Sequence, residues 1–220
     1  MRKLEAELRQ GLADLSLALT DGQITQLLDY LELIQKWTKV YNLTAVRDPA
    51  EMLTHHLLDS LTVIAPLRRQ LEAMAATGVT AEPKKHRLLD VGSGAGLPGI
   101  VIAICCPDVF VDCVDTVAKK AAFIRQVAAT LRLPNLKGLH ARVESLTDKY
   151  DVISSRAFAS LLDFTTWSRA ALAEQGVWLA MKGKHPADEI AALPAEVTVF
   201  HVEPLQVPGL DVERCIIWMR

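Results

Sequence analysis

An apolar run that ends on an acid and then dissolves into glycine constrains this chain more than any other feature. Residues 88–99 read LLDVGSGAGLPG, with Asp90 closing the run and Gly92, Gly94, Gly96 and Gly99 spaced behind it. Glycine inside a regular element is destabilising by roughly 0.5–1 kcal/mol relative to alanine. Clustered glycines therefore mark backbone that turns sharply or lies close against something. RLLDV (87–91) reads as a strand, and PGIVIAICC (98–106) starts with proline and reads as a helix. A strand, a glycine loop and a helix make the opening unit of a doubly wound sheet, with ligands bound at the carboxyl ends of the strands.

The remainder of the chain continues that alternation. Strands are expected at 109–115, 136–141, 150–157 and 176–183, and helices at 117–133, 161–174 and 185–193. Two alternating strands, 196–205 and 211–220, close the chain, with only QVPGL between them. That link is too short for a parallel crossover, so the pair is expected to be antiparallel. Before residue 87 the pattern is helical. Leu27, Leu28, Leu31 and Ile34 recur at helical spacing, and Trp37 and Val40 extend the stripe. Asp21 is the expected N-cap of that helix. Asp48 and Pro49 open a third helix, expected to run unbroken to about Leu67. The division expected is an N-terminal helical region (1–67), a linker (68–86) and a ligand-binding domain (87–220).

Composition narrows the classes. Half of the 220 residues are hydrophobic and the formal net charge is −2, so nothing global calls for nucleic acid or a membrane surface. The N-terminus lacks a signal-peptide pattern. No uncharged apolar stretch reaches the about 18 residues of a membrane span. Cys105, Cys106, Cys113 and Cys215 form no C-x-x-C pair and no ligand cluster, so no metal is expected and the thiols read as buried and reduced.

Three ligands compete for the loop. A P-loop is excluded, because no Lys-Ser or Lys-Thr follows the glycines. A dinucleotide fingerprint fits only in a late frame, Gly94-x-Gly96-x-x-Gly99. S-adenosylmethionine (SAM) fits an acid followed by G-x-G-x-G, here Asp90, Gly92, Gly94 and Gly96. Asp90 would favour an ammonium group and repel a pyrophosphate. Asp115, closing the second strand, suits ribose hydroxyls in either nucleoside class. The reversed strand at the end of a seven-stranded sheet favours the methyltransferase plan.

The chain resembles the RsmG (GidB) family of bacterial 16S rRNA guanine-N7 methyltransferases over residues 20–218. The matching stretches are WTKVYNLTAVRDPAEMLTHHLLDSL (37–61), LLDVGSGAGLPGIVIAI (88–104), DTVAKKAAFIRQV (115–127), ARVESL (141–146), ISSRAFASL (153–161), MKGK (181–184) and VPGLDVER (207–214). The resemblance implies a class I SAM-dependent methyltransferase fold, Rossmann-like, with N-terminal helices packed on it. It implies a cytoplasmic enzyme that methylates N7 of a guanine in the 530 loop of 16S rRNA, with the small ribosomal subunit as partner. It carries cofactor contacts onto Gly92, Leu97, Val143, Glu144 and Arg156. The linker at 68–86 is longer than the family pattern, and the chain ends directly after its last strand, so no tail contact with RNA is expected.

The absent motifs agree with that chemistry. Strand 150–157 leads into Ser154-Ser155-Arg156-Ala157-Phe158, not the [DNS]-P-P-[YFW] of amine methylation, and Cys106-Pro107 has the wrong order for cytosine C5 methylation. Guanine N7 carries no proton, so no general base is assigned. Lys182, Lys184 and Arg214 are the candidates for RNA contact, with Arg156 at the mouth of the site. His55 and His56 read as core or surface residues rather than catalysts, and Asn42 and Asp59 as polar struts. A monomer is expected. A regulatory SAM- or nucleotide-binding module and a small-molecule methyltransferase are the competing readings, and RNA-dependent methyl transfer separates them.

Overall fold

A computed structural model describes residues 2–76 and 85–220. Seven strands form one sheet: β1 (Arg87–Val91), β2 (Phe110–Asp115), β3 (Leu136–His140), β4 (Tyr150–Arg156), β5 (Leu172–Lys182), β6 (Val199–Leu205) and β7 (Arg214–Met219). Their order is β3-β2-β1-β4-β5-β7-β6. The first five run parallel, and β7 runs antiparallel to both β5 and β6, as the short QVPGL link requires. The strand order reverses beside β1, whose neighbours are β2 and β4. The connections that leave their carboxyl ends run to opposite faces there and open a crevice over the glycine loop.

Each face of the sheet packs its own core. One core joins Leu88, Val111 and Val152 to the helices α1 (Arg2–Asp14), α2 (Asp21–Tyr41), α5 (Ile64–Ala76), α6 (Gly99–Cys105) and α7 (Ala118–Thr130). The other joins Leu89, Ile153 and Trp178 to α8 (Leu161–Ser168). Successive strand residues point to opposite faces, so the near-continuous apolar runs of β1 and β4 feed both cores. The four cysteines are free and buried, and burial pushes the thiols of Cys105 and Cys113 up, away from the reactive thiolate.

The elements differ from the sequence reading where local chemistry overrides periodicity. Thr20, not Asp21, caps α2: its hydroxyl accepts from Gln23 N at 3.2 Å, and the Gln23 side chain returns the bond to Thr20 N at 3.0 Å. Asp48 caps α3 (Pro49–Met52) as expected. The third helix is broken, however. A π-helical turn over Leu53–Leu58 follows α3, then α4 (Asp59–Leu61), and the chain restarts as α5. Pro66 has no N–H to give, so it fits only the first turn of a new helix. α5 then continues past Leu67 to Ala76 because Leu71 is buried and Met74 packs on the core. Of the expected linker, 77–84 lies outside the described residues. The helix expected over 161–174 stops at Ser168, followed by a 3-10 turn and β5 from Leu172. The Ser168 hydroxyl bonds back to Phe164 O at 2.5 Å and receives the Trp178 indole N–H at 2.9 Å, which ties the helix end to the strand. A short α9 (Ala187–Ala191) follows β5.

Candidate active site

The carboxyl ends of β1, β2 and β3 enclose a cavity of about 300 Å³. Val91 and Gly92 form one side, Val114, Asp115 and Thr116 another, and Ala141, Arg142, Val143 and Glu144 a third. Phe158 and Trp167 close it from the turn after β4 and from α8, with their rings edge to face at 5.9 Å. Gly92, Asp115, Val143 and Glu144, singled out from sequence, thus meet in one place. Gly92 sits at φ +64°, and a Cβ there would collide with the Phe158 ring. Only glycine meets both demands. Asp115 is buried. Its Oδ2 accepts from Gly94 N at 3.0 Å and its Oδ1 from Val117 N at 2.8 Å, with the Lys120 ammonium at 3.6 Å. One carboxylate therefore shapes both the glycine loop and the start of α7.

Asp90, Leu97, Gly94 and Arg156 lie outside the cavity lining. Asp90 is fully buried. Its Oδ2 accepts from Gly99 N at 3.0 Å and its Oδ1 from the Ser154 hydroxyl at 2.8 Å. Both oxygens are engaged by the protein, and the side chain braces β1, β4 and α6. Leu97 is buried in the core shared with α6. The loop is braced from outside as well, where the Tyr30 hydroxyl of α2 donates to Ala95 O at 2.6 Å.

Arg156 closes β4 and Arg214 opens antiparallel β7, so both stand at the same sheet edge. A single carboxylate holds them. Asp59, 3% exposed, accepts from Arg156 at 2.7 Å on Oδ2 and from Arg214 at 2.9 Å on Oδ1. Arg156 also donates to His55 O at 3.1 Å. The expected strut at Asp59 thus exists as an ion triad fastening the π-turn segment to the sheet. Lys182 is likewise engaged: its ammonium meets Glu189 at 2.8 and 3.0 Å and Ala159 O at 3.1 Å. Of the three expected RNA contacts, Lys182 and Arg214 are thus tied into internal ion pairs, and Lys184 is exposed.

The family model for rRNA small subunit methyltransferase G matches residues 23–217. The chain belongs to this family. Curated relatives named ribosomal RNA small subunit methyltransferase G include one from Albidiferax ferrireducens, 73% identical over all of this chain and 98% of its own length, and one from Polaromonas sp., 68% identical over all of this chain and 95% of its own. Among solved structures, TrmN from Thermus thermophilus is similar with a TM-score of 0.54, at 18% identity over 76% of this chain and 53% of that one. A SAM-dependent methyltransferase from Aquifex aeolicus follows at 0.51, with 15% identity over 78% of this chain and 97% of that one. At those identities the likeness carries the fold alone, and the fold is that of class I methyltransferases. Family membership makes this chain a small-subunit rRNA methyltransferase.

One feature of the site escaped the sequence pattern, the Tyr30 bond to the loop, while His56, read as core or surface, is buried. Tyr30 is one more apolar position on an apolar helix face. His56 sits in the π turn at 7% exposure, with its Nε2 beside the Thr44 hydroxyl at 2.9 Å. Burial and the nearby Arg156 charge hold it neutral, with its pKa lowered to about 4. Asp90 moves the other way, raised to about 6 by burial despite its two hydrogen bonds. In the unfolded chain these groups titrate near 6.5 and 3.8. From pH 4 to 6.5 the unfolded state binds the His56 proton and the folded state does not, so this group raises stability as pH rises. Between pH 3.8 and 6 the folded state keeps the Asp90 proton, so that group lowers stability as pH rises. Each contribution is on the order of 3 kcal/mol, and they oppose each other. His56→Gln is expected to remove one side of the balance. Its stability relative to wild type, from urea unfolding, should improve on going from pH 6.5 down to 4.5. A constant difference across that window would show that His56 does not titrate as assigned.

Proposed function

We propose that this methyltransferase holds SAM in the cavity over Gly92 and methylates N7 of a guanine in the 530 loop of 16S rRNA. The observation that carries the reading is the convergence of Gly92, Asp115, Val143 and Glu144 on one cavity at the switch point of the sheet. Those residues fit a nucleoside. Val143 and Val114 supply an apolar wall for a base, the Asp115 carboxylate retains acceptor capacity for ribose hydroxyls, and the absent side chain at Gly92 lets the Phe158 ring close the cavity against the loop. When bound, SAM supplies an electrophilic methyl carbon. The chain's own task is placement. The loop is held by Asp90 from below, by Asp115 from the side and by Tyr30 from α2, so its backbone is set before a ligand arrives. Arg156, fixed by Asp59 at the end of β4, stands beside this loop and orients the incoming groups.

No side chain has to take a proton. His56, the buried histidine nearest Arg156 in this network, is kept neutral by its surroundings and is spent on Thr44. Among the described residues, no cluster of three or more His, Cys, Asp or Glu could hold a metal ion, and no helix is long and apolar enough to cross a membrane. A cytoplasmic site of action follows from the ribosomal substrate.

The test is methyl transfer from labelled SAM to purified small subunits, with the modified nucleotide mapped and single-turnover rates taken from pH 6 to 8.5. The label is expected on guanine N7 of the 530 loop, with a rate that is flat across this range. Label on another atom, or a rate rising tenfold per pH unit as a general base would impose, overturns the N7 reading.

A further inference from the structure

We infer that the exposed end of α2 and the first turn of α7 form a platform for unpaired rRNA nucleotides flanking the target guanine. This rests on the RNA-methylating function proposed above, and it places the docking surface away from Lys182 and Arg214, which are tied to Glu189 and Asp59.

The platform begins where the cavity ends. Asp115 and Thr116 line the cavity, and the next residue, Val117, is 40% exposed. Beside it stands the tip of α2, where Val40 is 69% and Tyr41 47% exposed. The two elements touch here, with the Lys119 ammonium 6.0 Å from the Tyr41 ring centroid. α2 is pinned to the glycine loop by Tyr30, and from there to Tyr41 it advances roughly 16 Å at the usual helical rise.

Tyr41 is exposed but braced. Its ring packs on Trp37 at 4.8 Å, and Trp37 packs edge-on against the buried Phe123 at 5.2 Å. A line of aromatics therefore runs from the core to the surface and holds the outermost ring in place. Lys119 stands over it, and Lys39 is a further exposed cation on the last turn of α2. Arg47 adds a third cation, fixed over the end of α2 by bonds to Thr38 O at 3.2 Å and Asn42 Oδ1 at 2.6 Å. Of the carboxylates around it, Glu32 pairs with Lys36, Asp115 sits with Lys120 and Asp48 caps α3, while Glu51 is exposed on α3. A braced aromatic face with cations around it suits an unpaired base stacked on the ring and its phosphates on the lysines. Paired bases offer no face to such a ring, so the occupant is single-stranded.

The test uses the full chain, purified small subunits and labelled SAM. Tyr41→Ala is expected to raise KM for subunits roughly 5- to 150-fold, the loss typical of one stacked base. Tyr41→Trp should retain the wild-type value. Lys119→Ala should reduce the salt slope of subunit binding by about 0.7. SAM affinity by calorimetry should be unchanged in all three, which shows that each variant is folded. A photo-crosslinker placed at Val40 should capture 16S rRNA. Unchanged KM in Tyr41→Ala, or capture of a ribosomal protein at Val40, overturns the platform and leaves the function standing. Wild-type protein that methylates no subunit RNA overturns the function itself and the platform with it.

Discussion

Asp59→Ala is expected to destabilise the protein by about 3 kcal/mol, the lower end of the range for breaking a buried ion pair. Asp59 is 3% exposed and binds two guanidinium groups with its two oxygens. Removing it leaves Arg156 and Arg214 facing each other without a counter-charge. The loss stays at the lower end because the two arginine side chains keep 18% and 28% exposure, and water recovers part of their solvation. Set against a domain stability of roughly 5–15 kcal/mol, this is a large fraction. Methyl transfer should fall as well, since Arg156, proposed above to orient the incoming groups, loses its anchor at the end of β4. Asp59→Asn keeps the shape and one acceptor oxygen and should fall between the two. Urea unfolding of the three proteins checks the order; an alanine variant as stable as wild type would show that the triad carries no stability.

That triad also marks how far the sequence could be read. The glycine loop, the acids Asp90 near the end of β1 and Asp115 at the end of β2, and the short link before the last strand are local signals, and each led to its place in the fold. Arg156, Asp59 and Arg214 are separated by 97 and 155 residues in their hydrogen-bonded pairs, and no local pattern reports such a meeting. The Lys182 ion pair was hidden for the same reason. A lysine at the end of an apolar strand looks free until α9 folds back and brings Glu189 to it. The broken helix at 53–63 was hidden because its apolar spacing survives a π turn, whereas its hydrogen-bond pattern does not. Asp90 was found as the acid of the loop, but its burial was not legible: an acid ending a strand gives no sign of whether Ser154, 64 residues away, will take its second oxygen.

Within the loop itself, two glycines are expected to fail in opposite ways. A Cβ on Gly99 would lie against Cys113 Sγ and 2.9 Å from Asp90 Oδ2, inside the packed junction of β1, β2 and α6. Nothing there can give way without moving the Asp90 brace, so Gly99→Ala should lose stability by about 1–3 kcal/mol, the usual penalty for overpacking. Gly94 differs. Its nearest neighbour to a Cβ is Gly92 O at 4.0 Å, so there is space, and its φ of +59° adds only about 1–2 kcal/mol of backbone strain for a non-glycine residue. Gly94→Val should therefore remain folded. Its branched side chain stands on the loop beside Gly92, the residue that lines the cavity, and the strain loosens the Gly94–Asp115 bond that shapes it. SAM affinity is expected to fall by about a hundredfold, equivalent to about 2.7 kcal/mol. Calorimetric titration beside urea unfolding separates the two cases. A folded Gly94→Val protein that binds SAM as wild type does would remove the cofactor from this loop. A Gly99→Ala protein of full stability would mean that the junction is looser than its contacts indicate.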